Sequence, residues 1–196
     1  MTARTGMSSL INELRAMVNA GTADYTVGAV TFWTDDQLQD VLDQNRTDFR
    51  EALDIKEQYT GGSVVYKEFY FSSPWVERLE SGTVAWRVET SDGIGTAGTA
   101  DYSVNYGARN ITFGVDQAGT IWMLHGRKFD LNRASAQVWR KKASYYSTMY
   151  DVSTDNHNLK RSQLVEQAQK MVAYYEKEAQ KQNPSRARFM REDSVW

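Results

Sequence analysis

Three short stretches of this chain carry residue types at spacings that could do chemistry. Gly93-Ile-Gly95-Thr-Ala-Gly98 is a literal GxGxxG, the pattern whose glycines let a pyrophosphate approach the backbone where a strand gives way to a helix. The residues that follow, Thr99-Ala-Asp-Tyr-Ser-Val-Asn-Tyr106, alternate like a strand, so no helix dipole is expected to face a phosphate. No kinase-type lysine, catalytic loop or metal aspartate follows either. The glycines read as a mobile loop between strands.

Asp151-x-Ser153-x-Asp155-x-His157 offers oxygen donors at alternate positions, as a calcium loop does. Asn156 stands where the tight-turn glycine belongs and Ser162 where a bidentate glutamate should be. The stretch therefore reads as a polar turn between helices, with Asp and Asn bonding the backbone. His125 and His157 lie in unrelated segments with no acidic cluster at ligand spacing, and a zinc site needs more than they supply. Asp35 and Asp36 resemble an acid/base pair, but a helix start explains both. With no nucleophile, acid and base in company, the chain is expected to be no enzyme and to use no cofactor or metal.

The third stretch is adhesive rather than catalytic. After Pro184 come Arg186, Arg188, Phe189, Arg191 and Trp196, residue types that dominate interface hot spots. A disordered tail is ordinarily poor in aromatics, so residues 183–196 are expected to dock.

A chain of 196 residues can bury a sizeable core as one domain or as a body with an appendage. The net charge of -2 and a pI near 5.8 remove the overall basic character of a dedicated nucleic-acid binder. Without cysteine there is no disulfide framework and no thiolate nucleophile. No signal-like or membrane-spanning apolar run is present, so a soluble protein made in a cytoplasm is expected. Six tryptophans and 12% aromatic residues exceed what a modest core uses, and aromatics favour interfaces.

The elements that must carry these residues follow from periodicity. Met7, Leu10, Ile11, Leu14, Met17 and Val18 keep the spacing of one helical face, with Gly21 as a stop. Thr34 and Gln37 form a capping box, Trp33 and Leu38 a hydrophobic staple, and Asp35 and Asp36 face the positive helix end. The helix that starts there is predicted to run on through Leu38, Val41, Leu42, Asn45, Phe49, Ala52 and Leu53. From about residue 55 to 129 the period changes to two, with predicted strands at 64–71, 84–89, 102–106, 111–115 and 120–124. Such close spacing favours an antiparallel meander or small barrel. Helices are predicted again at about 131–150 and 160–182.

The expected fold class is α+β: a helical bundle of about four helices with an inserted antiparallel β module and a C-terminal arm. Residues 1–54 are read as the N-terminal helix pair and 55–130 as the inserted module. Residues 131–182 are read as the C-terminal helix pair completing the bundle, and 183–196 as the extended docking tail.

Taken in order, three stretches resemble the head-tail connector, or adaptor, proteins of tailed bacteriophages. The first is residues 10–18 followed by Phe32-Trp-Thr-Asp-Asp-Gln-Leu-Gln-Asp-Val-Leu-Asp43. The second joins Asp101-Tyr-Ser-Val-Asn-Tyr106, Ile111-Thr-Phe113 and Phe129-Asp-Leu-Asn-Arg-Ala-Ser-Ala-Gln-Val-Trp139. The third is Tyr150-Asp-Val-Ser-Thr-Asp-Asn-His-Asn-Leu-Lys-Arg-Ser-Gln163 and the Tyr-Tyr-rich helix after it. The sequence departs from the family pattern at Asn156, often glycine there, and in its long β insertion, where small adaptors have a short hairpin. The resemblance implies a structural virion protein of the neck. It would form a homo-oligomeric ring, a dodecamer, beneath the portal protein, extending the channel for transient packaged DNA and presenting a surface to a tail-side neck or stopper protein. The implied portal-docking residues are Arg186, Arg188, Phe189, Arg191 and Trp196, with the aspartates of the second helix at a subunit contact or in the lumen. The alternative is another phage structural binding module, such as a decoration or tail-associated protein.

Overall fold

The computed structural model describes residues 3–22, 24–149, 152–154, 157–159 and 161–182. The chain divides into two compact units, Met1–Ala134 and Ser135–Trp196.

In the first unit, α1 (Ser8–Val18) buries Leu10, Ile11, Leu14 and Val18, the stripe its spacing predicts, and ends on Asn19 in the left-handed conformation. A short antiparallel hairpin, β1 (Tyr25–Val27) and β2 (Val30–Phe32), fills the connection to the next helix. Helix α2 (Asp35–Gln44) starts on the capping box: Gln37 N–H donates to Thr34 Oγ1 at 3.4 Å and Thr34 N–H donates to Gln37 Oε1 at 3.2 Å. Trp33 and Leu38 are both buried, and α1 and α2 pack against each other.

Helix α2 stops at Gln44, short of the predicted Leu53. Asn45 folds its side-chain amide back to the Val41 carbonyl at 2.8 Å, and the chain continues as β3 (Arg46–Ala52). In Arg46-Thr-Asp-Phe-Arg-Glu-Ala52 only Phe49 among the large apolar residues supports a helical stripe. A ladder with a distant strand along the whole segment outweighs so thin a pattern. The remaining strands are β4 (Asp54–Thr60), β5 (Ser63–Tyr70), β6 (Trp86–Thr90), β7 (Tyr102–Asn105), β8 (Asn110–Phe113) and β9 (Trp122–Phe129).

These strands make two antiparallel sheets, ordered β3-β9-β6 and β4-β5-β8-β7. Their inner faces share one core, in which Phe69, Ile111 and Phe113 of the larger sheet meet Trp86, Val88, Trp122 and Leu124 of the smaller. The Phe113 and Trp122 rings stack across it at 5.0 Å. Two sheets closed on a common core form a sandwich, rather than the predicted meander or barrel.

The second unit holds most of α3 (Leu131–Ser147) and all of α4 (Arg161–Gln182). Between them the expected polar turn is a small hairpin, β10 (Val152–Thr154) paired antiparallel with β11 (His157–Leu159). Arg140 of α3 forms an ion pair with Glu176 of α4. Helix α4 buries Ala168, Tyr175 and Ala179, whose spacings of seven and four place them on one stripe of the helix.

The expected helical bundle with an inserted module is therefore corrected. The first unit is β-rich, with three- and four-stranded sheets as its principal structure and α1 and α2 as additions to it. Helix start and stop signals are local, so helices dominate what the sequence displays. The weight of a sheet comes from pairings far apart in the chain, such as β3 with β9.

Candidate functional site

The glycine stretch is a bonded turn at the end of β6. Thr90 N–H donates to the Gly95 carbonyl at 2.8 Å, and Gly95 N–H donates to Thr90 Oγ1 at 2.9 Å. Asp92 Oδ1 accepts the Ile94 N–H at 3.0 Å and the Thr90 hydroxyl at 2.5 Å, and those bonds hold its carboxyl below the ordinary range. Gly93 takes a φ of +74°, a conformation glycine adopts without strain. The next helix after the glycines, α3, begins only at Leu131. The glycines serve the turn, and the bonding is tighter than the mobile loop expected.

One side of this turn borders an open cleft of about 440 Å³, lined among others by Thr96, Asp101, Phe113, Gln117 and Trp122. Asp101 is committed to the loop, its Oδ2 accepting the Gly98 N–H at 2.7 Å. The cleft has one carboxylate and no histidine or lysine among its lining residues, so it offers no acid/base pair.

His125 lies on β9, between β3 and β6. Its Nε2 is 2.6 Å from Glu89 Oε1 and accepts the Arg50 Nε–H at 2.9 Å. Glu89 also receives Arg87 Nε at 3.1 Å. Arg50, His125 and Arg87 are direct cross-strand neighbours, so two guanidinium groups stand in a row across the sheet with an imidazole between them and one carboxylate beside them. The aligned strands make this array, and the register was not readable from the sequence.

A second charge cluster ties the N-terminal segment to the sandwich. Glu77, with no exposed surface, accepts Arg4 Nε at 2.7 Å and lies 3.7 Å from Arg127 Nη1. Arg4 also grips Asp43 of α2 with two bonds of 2.7 and 2.8 Å. The hydrogen bonds that Arg4 donates to Asp43, and after them those to Glu77, raise the guanidinium pKa well above its already high value despite partial burial. All of these charges are spent on one another, which suits a brace better than a reaction.

Among the described residues no group of three or more His, Cys, Asp or Glu side chains could hold a metal ion. No helix among them is long and apolar enough to cross a membrane. The sequence-predicted docking residues, Arg186, Arg188, Phe189, Arg191 and Trp196, lie outside the described residues. Asp35 and Asp36 occupy the first turn of α2, as the helix-start reading expects, and Asp35 pairs with Arg15 at 2.6 Å.

What the fold does present is two broad outer faces on opposite sides of the sandwich. On the smaller sheet the register turns Arg46, Asp48, Arg50, His125, Arg87 and Glu89 away from the core. On the larger sheet Asp54, Lys56, Glu68 and Tyr70 point outward, in line with Asn110 and Thr112. One pair short of its turn, the β4–β5 hairpin carries the exposed cross-strand pair Tyr59 and Val64. Exposed aromatic and charged residues on a rigid sheet are the materials of a binding surface. No protein-family model and no curated protein matches this chain.

Proposed function

We propose that this protein is a head-tail connector of a tailed bacteriophage, a structural virion protein that forms a ring beneath the portal and carries the DNA channel toward the tail. Support comes from the order of its elements. A helix pair with a capped Trp-Thr-Asp-Asp start comes first. A strand, β9, then runs within two residues into α3, and a compact break separates α3 from α4. That is the order in which the three resembling stretches follow one another.

In this reading the chain is a subunit of a homo-oligomeric ring, a dodecamer, at the neck of the virion. Residues 183–196, with Arg186, Arg188, Phe189, Arg191 and Trp196, engage the portal protein. The opposite end of the ring meets the next neck or stopper protein, and packaged DNA passes through transiently.

The test is to mix the purified chain with a portal ring and measure the mass of the assembly, then repeat with residues 183–196 deleted. The full chain is expected to add to the portal as a ring. The deletion is expected to weaken that association at least tenfold. Equal binding by the truncated chain refutes the docking assignment, and no binding by the full chain refutes the connector reading.

A further inference from the structure

We propose that copies of this chain join head to tail through the two outer faces of the sandwich. The acidic, tyrosine-bearing face of the four-stranded sheet in one copy docks on the arginine-bearing face of the three-stranded sheet in the next. The inference rests on the ring reading above and names the surfaces that build the ring.

The two faces are opposite in charge. On the smaller sheet Arg46, Arg50 and Arg87 are each more than a third exposed, with side-chain exposures of 37, 46 and 44%, whereas Glu89 is only 12% exposed. Asp48 is the one well-exposed carboxylate in that array, and His125 stands in the same row. On the larger sheet Asp54, Glu57 and Glu68 accompany the single cation Lys56. One face is thus cationic and the other anionic, although the chain as a whole carries only -2.

The acidic face is also built to receive guanidinium groups. Tyr70 donates its hydroxyl to Glu68 Oε2 at 3.0 Å, and Tyr66 donates to Glu57 Oε1 at 3.4 Å. Each carboxylate oxygen has more than one acceptor site, so a carboxylate that takes one tyrosine hydroxyl still has room for a guanidinium while its bonded ring stands beside it. A cation already rests on this surface: Lys56 Nζ lies 5.7 Å from the Tyr70 ring centre. Arginine exceeds lysine at such a site, because its planar fork bonds a carboxylate and stacks on an aromatic ring. At the hairpin tip Tyr59, 79% exposed, and Val64, 38% exposed, add apolar area with no cover in the isolated chain.

The location of the faces decides the symmetry. Each repels a copy of itself, so a two-fold contact that sets like against like is disfavoured. Lying on opposite sides of one sandwich, they can be satisfied only by a contact repeated in one direction. A heterologous contact of this kind closes into a ring when its rotation divides a full turn.

The chain contains no cysteine, so introduced thiols report only the contact under test. Ala52 on the outer side of β3 and Ser103 on the outer side of β7 are exposed and uncharged. A chain carrying Ala52→Cys and Ser103→Cys, assembled on the portal ring and treated with a short bis-maleimide, is expected to give a ladder of dimer, trimer and longer products. Either single variant should give no product beyond monomer. Glu57→Arg with Glu68→Arg should reduce the ladder at least tenfold, and adding Arg50→Glu with Arg87→Glu should restore it to within twofold, which a misfolded chain could not do. A ring that forms on the portal without the ladder, or a ladder untouched by the charge reversals, overturns the interface and leaves the connector reading standing. A full chain that never assembles on the portal overturns both.

Discussion

Replacing Glu77 by glutamine tests whether the buried charge cluster braces the first unit. The carboxylate has no exposed surface and holds Arg4 at 2.7 Å, with Arg127 at 3.7 Å. A glutamine fits the same space, but one end of its amide is a donor and must face a guanidinium that also donates. A hydrogen bond to a charged group contributes about 1.5–3 kcal/mol, and breaking a buried pair costs about 3–5 kcal/mol. Arg4 keeps both bonds to Asp43 and is itself 29% exposed, so the lower part of that range applies. E77Q is therefore expected to lose about 2–4 kcal/mol of unfolding free energy. With a urea slope of about 2 kcal/mol per molar, the middle of the usual range, the midpoint should fall by about 1–2 M. A cycle with R4Q should return a coupling of about 1–3 kcal/mol. An E77Q loss below about 0.5 kcal/mol, the range of ordinary surface substitutions, or a cycle that is simply additive, refutes the bracing argument.

Thr34→Ala removes the acceptor of the α2 capping box and should cost about 1 kcal/mol, whereas T34S should stay near wild type; urea midpoints of the pair decide it. At Gly126 an added Cβ would sit 2.8 and 2.9 Å from two Phe49 ring carbons. G126A is therefore expected to cost about 1–3 kcal/mol through overpacking, part of which the smaller F49L should recover in the double variant. Burial raises the pKa of Tyr102 and of Tyr106. A folded-state pKa above the unfolded one gives stability that is complete below the ordinary phenol value of about 10 and is lost as the pH climbs through the raised value. Native protein should accordingly lose stability above about pH 10, and Y102F and Y106F should each remove one tyrosine from the part of the phenolate absorbance titration that lies above the ordinary phenol range. A native titration in which every tyrosine ionises together would contradict this.

The helices were largely legible in the sequence because their signals are local. The Thr34–Gln37 box, the α1 stripe and the α4 stripe each lie within a few turns of chain. The α2 terminus was missed because Asn45, Phe49, Ala52 and Leu53 fit a helical stripe by spacing alone, while the seven-residue pairing of β3 with β9 is a fact about residues far apart. The short β1–β2 and β10–β11 hairpins were missed for a different reason: Tyr25-Thr-Val27 and Val30-Thr-Phe32 are aromatic and β-branched throughout but only three residues long, and β10–β11 is as short, with the largely polar His157-Asn-Leu159 as its second strand. Of the functional surfaces, the Arg50, His125 and Arg87 row became visible only with the register, since nothing in the spacing of those three numbers marks them as neighbours. The glycine stretch shows the converse. Its motif was conspicuous in sequence, and its chemistry is that of a turn.

Leu53, 5% exposed, is the only residue between β3 of one sheet and β4 of the other, and its N–H donates to the Trp122 carbonyl at 2.9 Å. That single position sets the phase between the two sheets. Strand side chains alternate, so one residue inserted there would turn β4 over relative to β3, carrying Asp54, Lys56 and Tyr59 inward and turning Ile55, which now stands on the Phe69 side, outward. The connection therefore tolerates substitution by another apolar residue far better than any change of length. A natural variant of this chain should vary the hairpin tip at Gly61 and Gly62 before it varies the count at this corner.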